Sequence, residues 1–84
     1  MELTDLPNIG PALADNLRKI GVDTPEALRA MGAEEAWLRI RAQVDESACL
    51  HQLQALAGAA EGIPKKDLPP ERKAALKLFF DSHK

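Results

Sequence analysis

Residues 6 to 11, Leu-Pro-Asn-Ile-Gly-Pro, constrain the fold more tightly than any other stretch of the chain. Pro7 fixes its own φ, and Asn8 and Gly10 belong to the few residue types that sit comfortably at positive φ. The segment is therefore a tight turn. Pro11 stands where a helix begins, because its missing N–H has no intrahelical partner there. Leu13, Leu17 and Ile20 then recur at i, i+4 and i+7 as one apolar stripe, and Gly21 closes this first helix as a left-handed cap. A helix entered through such a turn marks a helix-hairpin-helix-like element.

The same punctuation organises the rest. Thr24 caps a second helix, Pro25 takes its first position and Glu26 places negative charge at its positive end; Leu28 and Met31 form its apolar side before Gly32 stops it. Ala33, Trp37, Ile40 and Val44 share one face of a third helix, with Glu35 and Arg39 in the favourable order on the solvent side. Asp45 is the expected cap of a fourth helix running to about Glu61, where Leu50, Leu53, Ala57 and Ala60 line one face and Gly62 is the stop. Its run Ala55–Ala60 carries only small side chains apart from Leu56, which lets another helix approach closely. Pro64, Pro69 and Pro70 make residues 63–70 a connector. A last helix from about Pro70 turns Leu76, Phe79 and Phe80 inward and Lys73 and Lys77 outward. No stretch alternates as a half-buried strand does. The expected fold is all-α, a single domain over residues 1–84, with about five short helices in a helix-hairpin-helix-like or SAM-like small bundle.

Catalysis and metal binding find no support in this pattern. A nucleophile needs a base within hydrogen-bond reach. The nearest pair, Cys49 and His51, stands two apart on a helix and points to different sides. We expect Cys49 as a small core thiol beside a surface imidazole. Two histidines and one cysteine give no zinc-like spacing. No glycine-rich phosphate cradle occurs, so no cofactor is implied. The apolar runs fall far short of a membrane span, the acidic start is unlike a signal peptide, and one cysteine suits a reducing compartment. The chain is expected to be cytoplasmic and not an enzyme.

Two kinds of partner remain. The backbone amides of Asn8, Ile9 and Gly10, with the first donors of the Pro11 helix, suit an anion such as a DNA phosphate, with Arg18 and Lys19 in support. Against this, the net charge is −2 and Asp5 and Asp15 lie close by, so any DNA binding is expected to be weak and independent of sequence. Protein contact is the first expectation and DNA binding the alternative; the contact would run through the apolar faces of the second and fourth helices, with Leu28, Leu50, Leu53 and Ala57 as the candidate surface.

Leu6–Ala14, Leu17, Ile20-Gly21-Val22, Thr24, Glu26-Ala27-Leu28 and Met31–Trp37 closely resemble the C-terminal domain of the TfoX/Sxy family. Leu53–Leu56, Gly58-Ala59, Gly62 and Leu68–Lys73 fit its second half. The resemblance covers nearly the whole chain in order and implies a stand-alone bacterial copy of that domain. Its relatives include regulators of DNA uptake and natural transformation, and in longer ones the domain follows an N-terminal α/β domain. The implied role is a regulatory or adaptor module without catalytic residues. Its implied partner is a protein, either a transcription regulator or an α/β protein of the N-terminal type. One departure from DNA-binding hairpins stands out. They commonly read Gly-Ile-Gly followed by a basic residue, whereas here Asn8 replaces the first glycine and Ala12 holds the basic position.

Overall fold

The computed structural model describes residues 2–83; Met1 and Lys84, the ends of the expected domain, lie outside them. Five helices follow in order: α1 (Pro11–Lys19), α2 (Pro25–Met31), α3 (Ala33–Gln43), α4 (Leu50–Glu61) and α5 (Pro70–His83). Short 3-10 turns cover Leu3–Asp5 and Lys65–Asp67, and there is no strand among the described residues. The arm leading into the Leu6–Gly10 turn is thus one 3-10 turn rather than an α-helix.

The helix starts obey the local chemistry. Thr24 Oγ1 accepts a hydrogen bond from the Ala27 amide at 3.1 Å, and Pro25 occupies the first turn of α2. Gly32 joins α2 to α3 without a loop because it adopts φ 88°, a conformation that L side chains rarely take. Glu35 and Arg39 pair at 2.8 Å on the outside of α3.

The start of α4 departs from expectation. Asp45 does not cap it; the helix begins at Leu50, with Cys49 at the capping position and no side-chain cap bond. Instead the Asp45 carboxylate accepts hydrogen bonds from the Ser47 hydroxyl and amide. That local turn competes successfully with helix initiation. The Ser47 hydroxyl, then its amide, hold the Asp45 carboxyl below its ordinary range. Cys49 is accordingly exposed rather than a core thiol.

α4 is the central helix, packing against α2, α3, α5 and the Lys65–Asp67 turn. Leu53 and Ala55 to Ala59 are buried in succession, so the helix is covered on nearly every side. Around it Leu3, Leu17, Val22, Leu28, Trp37, Ile40, Leu56 and Leu76 form one continuous core. Trp37 meets Phe79 edge-on at 6.0 Å between ring centroids and Phe80 at 5.6 Å, which fastens α5 to α3. Arg72 completes that attachment: its guanidinium donates to both Glu34 carboxylate oxygens, at 2.7 and 3.1 Å, and lies 3.5 Å from Glu61. No helix among the described residues is long and apolar enough to cross a membrane.

Candidate functional site

The Leu6–Gly10 turn is where the sequence places an anion site, and the structure gives its groups other work. Asn8 adopts φ 71°, the one non-glycine residue at positive φ among those described. Its side-chain amide donates to the Ile63 carbonyl at 3.1 Å and to the Ala55 carbonyl at 3.4 Å, and its carbonyl accepts from the Lys65 amide at 3.0 Å. The turn therefore bolts the N-terminal segment to the end of α4 and to the connector beyond it. Asparagine supplies both needs at once, a tolerated left-handed backbone and a short side chain that both donates and accepts.

The small-residue run of α4 makes this possible, although what approaches is a turn and not another helix. A Cβ on Gly58 would lie 2.6 Å from Asn8 Nδ2 and 2.7 Å from the Ile63 carbonyl oxygen. Only glycine leaves room there. Sequence reasoning marked the run as permissive but missed its partner, because Asn8 and Gly58 stand fifty residues apart.

The other groups of the expected anion site are not gathered. Ile9 is buried and its amide points back to the Leu6 carbonyl at 3.4 Å. Gly10 is exposed and caps α1 through its carbonyl, which accepts from Ala14. Arg18 and Lys19 lie at the opposite end of α1, about 10 Å along its axis. Arg18 sits 3.9 Å from Asp15, an exposed and weak pairing. What the fold does bring to the turn is Lys65 of the connector, with Lys73 joined to the next residue, Lys66. Lys65 bonds Asn8 through its amide, and the Lys73 ammonium donates to the Lys66 carbonyl at 3.2 Å.

The expected partner surface is corrected by burial. Leu28, Leu53 and Ala57 are fully buried and Leu50 is partly covered. They hold the core, because α2, α3 and α5 all close over α4. The large hydrophobic side chain left in solvent is Leu78, 70% exposed on the outer face of α5, with exposed Ala74 and Ala75 one turn before it. Cys49 and His51, at the start of α4, are both exposed, and no three His, Cys, Asp or Glu among the described residues are grouped to hold a metal.

Comparison with known proteins agrees with this architecture. Over 80 residues, 95% of its length, the chain is 38% identical to Protein Sxy of Escherichia coli (strain K12), and it spans 38% of that protein. A triclinic crystal form of an uncharacterized protein from Listeria monocytogenes superposes with a TM-score of 0.95 at 43% identity, covering 98% of this chain and 92% of that one. A tetragonal form of a protein of unknown function from the same organism gives 0.94 at 43% identity, with 98% and 99% covered. Residues 1–80 match the TfoX C-terminal domain, and with that match running from before the Leu6–Gly10 turn into α5, the chain belongs to the TfoX C-terminal domain family.

Proposed function

We propose that this domain is a non-catalytic regulatory or adaptor module of the competence type, acting in the cytoplasm through contact with another protein. The family match along the chain carries the regulatory role, together with the likeness to Protein Sxy. The geometry favours protein contact over other modes. The hairpin's distinctive side chain is spent on an internal joint, whereas α5 offers Leu78 with Ala74 and Ala75 as an apolar outer strip. A transcription regulator, or an α/β protein of the kind that precedes this domain in longer relatives, is the partner we assign to it.

The test is affinity capture of each of those candidates, purified, by the immobilised domain and by its Leu78→Asp variant. Retention by the parent and a loss of at least roughly tenfold in the variant is the expected result, since a charge in an interface core opposes desolvation. Equal retention by both, or none by either, contradicts the assignment.

One feature of the fold favours a second role, weak sequence-independent binding of duplex DNA. Lys65 bonds Asn8 of the turn through its amide and Lys73 bonds the Lys66 carbonyl, so the supporting cations would come from the connector and the start of α5 instead of from Arg18 and Lys19. Binding should then weaken with a log–log salt slope of about −0.9 per phosphate neutralised. Exchanging Lys65 and Lys66 for glutamine should flatten that slope, while exchanging Arg18 and Lys19 should not; the opposite ranking contradicts this role.

A further inference from the structure

We draw no further inference here: the strongest candidate, the open depression where the last turn of α3, the 44–49 connection and the end of α5 meet, presents solvent-reached Arg41 and Glu46 while Trp37 is wholly buried, and nothing in the structure shows what covers it.

Discussion

Asn8 shows how much one residue can hold, and how little of that its own position reveals. The sequence indicated a turn residue at positive φ, which is borne out at φ 71°. It gave no sign that the side chain would reach carbonyls 47 and 55 residues away. Long-range pairing of that kind depends on packing, and periodicity carries no information about it. Gly58 has the same history: visible as one small residue among several, indispensable because Asn8 lies against it. Gly58→Ala should therefore cost about 2–3 kcal/mol, the penalty of overpacking against backbone that cannot yield. Ala59, equally buried, is the comparison: Gly58 would be unexceptional if its alanine variant unfolded in denaturant at the parent midpoint. Cys49 was misplaced for a related reason. Its exposure follows from where α4 starts, and Asp45 set that start differently by bonding Ser47.

At the scale of elements the sequence was most informative. All five helices were legible from proline, glycine and apolar spacing, because those signals act within one turn of the residue that carries them. The two 3-10 turns were not, being too short for any period to show. Nor was the clamp that fixes α5, since Arg72 and Glu34 belong to different helices. Hydrogen bonding from Arg72 holds the Glu34 carboxyl below its ordinary value of 4.5, against the opposing effect of burial. A carboxyl whose folded pKa is depressed contributes stability above its unfolded pKa and loses it as pH falls through the folded value. Stability from this clamp is thus complete at neutral pH and disappears below the ordinary carboxylate range. Arg72→Met should lower stability by about 1–2 kcal/mol at neutral pH, after allowing for solvent at a half-buried pair. The difference from the parent should shrink on acidification; thermal unfolding of both proteins from neutral to strongly acid pH measures it, and a difference constant with pH would remove Glu34 from the account.

For the whole molecule, fold and family were legible and the surface was not. An apolar stripe on a helix marks what wants covering, without saying whether the rest of the chain covers it. Leu28, Leu53 and Ala57 read as available surface until α2, with Leu28, is seen to pack on α4, and α3 and α5 to close over the rest. Leu78 gave no distinctive signal, because one exposed leucine follows from no pattern. On the scale of the whole chain, the Leu6–Gly10 turn is an internal joint between its first and last thirds. Asn8→Gly tests this most directly. Glycine accepts φ 71° without strain, and its gain there roughly cancels its greater backbone entropy, leaving the three side-chain hydrogen bonds as the difference read. If the joint is real, the variant should lose about 2 kcal/mol, or on the order of 10 °C in melting temperature. An Asn8→Gly protein that melts with the parent, or above it, would contradict it.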